Sequence, residues 1–258
     1  MLFKFLTLSL SIYNLSALPK SNISFCYEDQ DSYPWVLKNG TGLNIEHLKL
    51  VGKKLQINIH FMPMPWNRCL EELRKGDVDA AFAGSYKAER IEFGYYPTLN
   101  GKLDGKVDES KRLHTNQYSL YVLKGENIVK WDGKNILGLS TVGSLTGYSI
   151  NEFFIKKNIR VDDGTRLPIS ILEKLLNKRF NAIALQDNRA DYIINSNPKF
   201  KNSIIKLTPP LEKKSYFLII SKKFKEEEPI LSNKIWDNIQ DVRESKEFQK
   251  LSKEFLKN

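Results

Sequence analysis

Apolar and polar positions alternate or form stripes along this chain in an order that divides it into short elements. Ile23-Ser24-Phe25-Cys26-Tyr27 alternates in a β-prone run and predicts a first strand. In residues 42–55, Ile45, Leu48, Gly52 and Leu55 fall on one stripe, the spacing of an amphipathic helix. Residues 56–62 alternate again, with Ile57, Ile59 and Phe61 on one face, and Pro63 and Pro65 are expected to end that second strand. Trp66, Cys69, Leu70 and Leu73 recur at i, i+3, i+4 and i+7, a helix that opens directly after Pro65 and stops at Gly76-Asp77. The run Asp79-Ala80-Ala81-Phe82-Ala83-Gly84 is small, apolar and closed by glycine, which predicts a buried strand feeding a loop. Strand, helix, strand, helix, strand is the order of a parallel α/β unit with right-handed crossovers. Ligands of such sheets sit beyond the carboxyl ends of the strands. Those ends are residues 28–35, 62–66 and 85–90.

Residues 100–116 are polar and rich in Gly, Lys and Asp, the best candidate for a domain boundary. Beyond them a second, smaller α/β unit is expected. Strands are predicted at 118–123, 135–139 and 180–185, and helices at 150–157 and 169–178. The loop 141–149 carries glycines and hydroxyls before a helix, where free N–H groups suit an anion or polar ligand. Thr146 is expected there either as a ligand contact or as a simple N-cap. A strand at 216–221 follows Pro209-Pro210, and Leu231, Ile235, Ile239 and Val242 stripe one C-terminal helix. Phe248, Leu251 and Phe255 stripe the last.

With 258 residues, 41% apolar and 11% aromatic, the chain can bury a sizeable core. The net charge of +10 raises nucleic acid as a partner, but the lysines are scattered and no zinc-finger spacing or RNA-binding aromatic motif accompanies them. No nucleic-acid partner is expected. Lys4, an apolar stretch at 5–13 and Leu15-Ser16-Ala17 read as a signal peptide, residues 1–17, cleaved after Ala17. No later stretch reaches the ~18 apolar residues of a membrane span, so the mature protein is expected to be soluble and exported; it is expected in the periplasm, as a monomer. In an oxidising compartment the pair Cys26 and Cys69 reads either as one disulfide or as two buried thiols.

Catalytic patterns are missing. No HExxH, CxxC, GxSxG or phosphate-loop spacing occurs, and His47, His60 and His114 stand alone, so no catalytic residue, metal or cofactor is expected. What the strand ends do carry is aromatics and single charges, the make-up of a binding cleft. Arg90, on the loop after the third strand, is either a surface partner of Glu89 or Glu92 or a planar fork for a carboxylate.

Asp77-Val78-Asp79-Ala80-Ala81-Phe82-Ala83-Gly84-Ser85, then Arg90 five positions on, Phe93 and Tyr95-Tyr96-Pro97, resembles a motif of the type II periplasmic solute-binding proteins in their amino-acid-binding branch. Tyr33-Pro34-Trp35 after the first strand and Gly42 before the first helix are similar too. The resemblance implies a two-lobed α/β clamshell, with residues 18–112 plus 214–258 as one lobe and 113–213 as the other. It implies that Arg90 takes a ligand carboxylate, that Ser85 adds a contact, that Tyr33, Trp35 and Trp66 wall the ligand, and that Glu28 lies near a ligand amine. An ABC permease or a membrane sensor would be the partner. In the second lobe the family's ammonium-binding acid aligns with Gln186, and Asp187 is one step out of register, where the side-chain direction reverses. The expected function is therefore capture of a small polar, carboxylate-bearing, amino-acid-like ligand between two lobes, for transport or sensing. The alternative is a cyclohexadienyl-dehydratase-like enzyme with Glu28 or Asp187 as general acid.

Overall fold

A computed structural model describes residues 22–256; the expected signal peptide, residues 1–17, lies outside the described residues. The first half follows the apolar pattern: β1 (Asn22–Glu28), α1 (Leu43–Leu55), β2 (Asn58–Met64), α2 (Trp66–Lys75) and β3 (Ala80–Ser85). β1 pairs in parallel with β2 on one side and β3 on the other. β2 runs through Pro63 to Met64 instead of stopping before it. It is the outermost strand of the sheet, so the missing proline N–H costs no ladder bond. After β3 come β4 (Gly94–Tyr95), β5 (His114–Leu123), a small hairpin of β6 (Lys130–Trp131) and β7 (Ile136–Leu137), β8 (Thr141–Gly143), α3 (Asn151–Ile155), β9 (Arg160–Asp162), α4 (Pro168–Leu176) and β10 (Ala182–Gln186). The chain continues through α5 (Asp187–Ser196), α6 (Pro198–Ser203), β11 (Ile204–Lys206), β12 (Glu212–Ser221), α7 (Lys222–Glu227), α8 (Pro229–Glu244) and α9 (Lys246–Phe255).

The main sheet runs β2-β1-β3-β12-β5-β10-β8-β9, with β11 beside β5 and β4 beside β12. Its middle is the antiparallel pair β5 and β12, and both strands are longer than the pattern predicts. β5 starts at His114, inside the polar stretch expected as a boundary, and pairs Tyr216 there. β12 meets β3 through Tyr216–Ile220 and β5 through Glu212–Tyr216. Apolar side chains sort around this pair. One cluster draws on Tyr118, Leu120, Val142, Ile171, Ile183 and their neighbours as far as Tyr216. Two others, built on Phe25, Leu48, Leu218 and Ile239 and on Cys26, Leu73 and Phe217, pack the other half. Adjacent residues Tyr216 and Phe217 thus belong to different cores, and the register of β12 shifts immediately after, between Phe217 and Leu218. The molecule is a mixed α/β fold of two lobes joined through two crossing strands.

Cys26 and Cys69 form a disulfide that ties β1 to the first turns of α2. Closing a separation of 43 residues removes about 4 kcal/mol of freedom from the unfolded chain. His47 lies in the seam of α1 and α8, where its Nε2 donates to the Ile239 carbonyl at 2.8 Å and its ring meets Phe248. Burial lowers its pKa from 6.5 to about 4, and the nearby Arg243 charge acts in the same direction. The imidazole is neutral in the fold, while the unfolded chain protonates it below about 6.5. As pH falls from 6.5 towards 4 the unfolded state gains a proton that the fold refuses, so stability falls, by up to about 3 kcal/mol from this residue. His114, also lowered by burial, acts in the same sense. Urea unfolding followed from pH 7 to pH 4 should show this acid limb, and His47→Gln, which keeps a donor for the carbonyl, should shallow it.

Candidate functional site

The carboxyl ends of β1 and β3 and the start of α2 face β8, β10 and α5 across the β5–β12 pair, and a cavity of about 50 Å³ lies between them. Lobe one contributes Glu28, Gln30, Ser32 and Trp35 from β1 and the segment after it, Trp66, Ser85 at the end of β3, and Arg90. The other side contributes Tyr148, Ser149, Gln186 and Arg189, and the crossing strands add His114, Tyr118 and Tyr216. Trp35 stacks on His114 at 4.0 Å, and His114 stacks on Tyr216 at 4.8 Å, so three rings pile into one wall of the cavity beside the β5–β12 pair. Two glycines permit close approaches here. Gly42 has φ +128° and a Cβ there would meet the Trp35 carbonyl oxygen at 2.5 Å. Gly147 has φ +76°, a left-handed conformation that a Cβ-bearing residue rarely adopts, and a Cβ there would meet the Asn67 side chain at 2.2 Å.

Arg90 rides on a 3-10 turn, Ala88–Glu92, and is only 2% exposed. Its Nη1 donates to the Ser85 carbonyl at 2.8 Å, its Nη2 to the Gly147 carbonyl across the cleft at 3.2 Å, and its guanidinium lies over the Trp66 ring. Its Nε is buried without a partner. Glu89, one of the two surface partners considered, bonds Lys87 instead. A guanidinium held among carbonyls, with no carboxylate bonded to it among the described residues, suits an anionic partner.

The profile of the bacterial extracellular solute-binding proteins, family 3, matches residues 21–258. The chain belongs to that family. No curated protein matches its sequence. Among solved structures the fold is similar to the amino acid ABC transporter substrate-binding protein AbpA from Streptococcus pneumoniae bound to L-arginine, at 19% identity and a TM-score of 0.69, over 92% of this chain and 95% of that one. It is similar to a histidine kinase sensor domain with likeness to periplasmic binding proteins, at 14% identity and a TM-score of 0.72, over 92% and 97%. A third is an ancestral amino-acid-binding protein, a precursor of cyclohexadienyl dehydratase, at 15% identity and a TM-score of 0.67, over 91% and 95%. All three show the two-lobed fold.

In this solute-binding protein the lobes touch through polar side chains. Ser85 Oγ and Ser149 Oγ stand 2.8 Å apart. Arg189 Nη2 donates to Glu28 at 3.0 Å and to the Gln30 carbonyl at 3.5 Å, its Nη1 meets the Tyr148 hydroxyl, and that hydroxyl donates to Glu28. Arg189 is 2% exposed. Burial works against its charge, but Tyr148 and Glu28 outweigh burial and hold its pKa above the ordinary range. Tyr148 and Tyr118 are pushed well above 10 by burial and stay neutral hydroxyls. At the rim, Arg166 meets Asp29 at 2.7 Å and Lys87 meets Glu152 at 3.6 Å. Among the described residues no group of three His, Cys, Asp or Glu stands together to hold a metal.

Of the residues singled out from the sequence, Glu28, Trp35, Trp66, Ser85, Arg90 and Gln186 line one cavity. Tyr33, Thr146 and Asp187 stand outside that lining. Tyr33 stacks on Tyr192 of α5 at 4.8 Å, and Thr146 donates to the Asp163 carbonyl. Asp187 opens α5 and accepts from Gln117 at 2.8 Å and Lys206 at 3.4 Å. The loop 141–149 reaches the cleft through the Gly147 carbonyl, Tyr148 and Ser149. Arg189 escapes sequence reasoning because residues 188–196 carry no strong strand or helix pattern. The signal was faint: Ala190 and Ile194, four apart, are the buried stripe of α5.

Proposed function

We propose that the protein captures a small polar, carboxylate-bearing ligand between its lobes, for transport or sensing in the periplasm after its signal peptide is removed. The observation that carries this is Arg90: a buried guanidinium, open on a cavity, whose bonds go to neutral carbonyls. A ligand carboxylate would match two of its N–H groups at once. The lobes, divided near 112/113 and 213/214, would close by hinge motion at the β5–β12 crossing and present the occupied form to a membrane partner. An ABC permease and a membrane sensor both suit that output, and the protein would act as a monomer. Among the described residues no helix is long and apolar enough to cross a membrane.

The dehydratase-type alternative needs a general acid in the cleft. Its two candidates are engaged elsewhere: Glu28 with Arg189 and Tyr148, Asp187 with Gln117 and Lys206. We therefore favour a binder over an enzyme. A thermal-shift screen of the mature protein tests this reading. A carboxylate at ~100 times its dissociation constant should add about 2.7 kcal/mol of stability. If stabilisation came only from sugars or polyamines and never from a carboxylate, the reading would fall.

A further inference from the structure

We infer that the ligand is a small hydroxy acid without a cationic amine, and that Arg189 sets this preference by occupying Glu28. This rests on the carboxylate-binding reading above and narrows it. The charged side chains that line the cavity are Glu28, Arg90 and Arg189, so the lining sums to one positive charge. That surplus sits on Arg90, because Glu28 is held by Arg189 at 3.0 Å and by the Tyr148 hydroxyl. A ligand with one carboxylate and no amine brings the cleft to neutrality. A zwitterionic amino acid leaves the surplus in place, and a cationic one doubles it.

An ammonium group also needs a carboxylate to receive it, and the neighbouring acids are committed. Asp29 pairs with Arg166 at 2.7 Å, and Asp187 faces Gln117 and Lys206. At the end of β10 stands the neutral Gln186, whose Nε2 donates to the Tyr216 hydroxyl at 2.7 Å and whose buried Oε1 has no partner. An ammonium placed there would share a cavity of about 50 Å³ with two guanidinium groups and no free anion. A hydroxyl is the donor that a neutral amide oxygen satisfies without adding charge. Ser85 and Ser149, bonded to each other at 2.8 Å, can turn to a second ligand oxygen. The cavity's size keeps the acid short.

Isothermal titration of the unmodified protein with matched short pairs tests the assignment: lactate with alanine, glycerate with serine, and arginine alone. The hydroxy acid of at least one pair should bind, and more than tenfold tighter than its amino counterpart. In Arg189→Gln the freed Glu28 can receive an ammonium, so the preference should narrow to below threefold or reverse, an outcome that a merely structural arginine would not produce. An amino acid binding the unmodified protein more tightly than its hydroxy partner overturns the inference and leaves the carboxylate reading standing. Arginine binding in the same range as any hydroxy acid overturns it too. If no carboxylate of any pair binds, the inference and the reading on which it rests both fall.

Discussion

Arg90→Ala is expected to weaken ligand binding by about 30- to 5,000-fold while leaving the melting temperature of the ligand-free protein unchanged or raised. The two halves of that result have one cause. In the cleft the Arg90 guanidinium is buried, and its bonds among the described residues run to the Ser85 and Gly147 carbonyls. Removing a buried cation that lacks a counter-ion relieves a desolvation cost as well as losing two hydrogen bonds. With a carboxylate bound, the same deletion strands the ligand's charge in a closed cleft, which costs about 2–5 kcal/mol. Calorimetry and thermal melting read the two effects separately. Arg90→Lys should fall between, because an ammonium keeps the charge but not the planar fork. A variant that loses fold stability without losing affinity would assign Arg90 to structure instead.

Glu28→Gln is expected to open the ligand-free clamshell. Glu28 and Arg189 lie on opposite lobes, Arg189 buried and Glu28 half-buried, and removing the carboxylate costs about 3–5 kcal/mol because Arg189 is left charged and dry. Here the orphan has an escape that a single-core protein lacks. On the proposed hinge at the β5–β12 crossing, opening would put Arg189 into water without unfolding either core. The penalty should therefore appear as a shift of the closed-to-open equilibrium by about 150- to 5,000-fold, with a smaller change in unfolding temperature. Small-angle scattering would register a larger radius of gyration for Glu28→Gln than for the unmodified protein. Glu28→Gln with Arg189→Gln removes both charges and should return the compact form. Equal radii for all three would mean that this pair does not hold the lobes.

The local code was easy to read where each element's pattern is strong. The α/β order of residues 23–85, the two-lobed class, the C-terminal stripe of Leu231, Ile235, Ile239 and Val242, and the strand-end position of Arg90 all follow from periodicities of 2 and 3.6 and from one motif. Elements whose stability is borrowed from neighbours were not legible. β5 begins at His114, four residues before its pattern does, because β12 supplies its hydrogen bonds there. Pro63 stays in β2 because that strand is an edge. Asp187 and Arg189 show the same limit at the scale of two residues. Asp187, one step out of register with a ligand acid, opens α5 instead, and Arg189 is marked only by the faint stripe of Ala190 and Ile194 beside it.

The chain's sequence by itself determined the strand–helix alternation of residues 23–85, the stripes of the C-terminal helices, and that an arginine follows the third strand. These are short-range consequences of side-chain spacing and of the chemistry of single residues. Tertiary structure alone decided that Cys26 is bonded to Cys69, that Arg90 is buried among carbonyls, and that Glu28 is neutralised across the cleft by Arg189. The physical reason is distance along the chain. Glu28 and Arg189 are 161 residues apart, and a pairing at that separation exists only once two independent cores have formed and the β5–β12 crossing has brought their strand ends face to face.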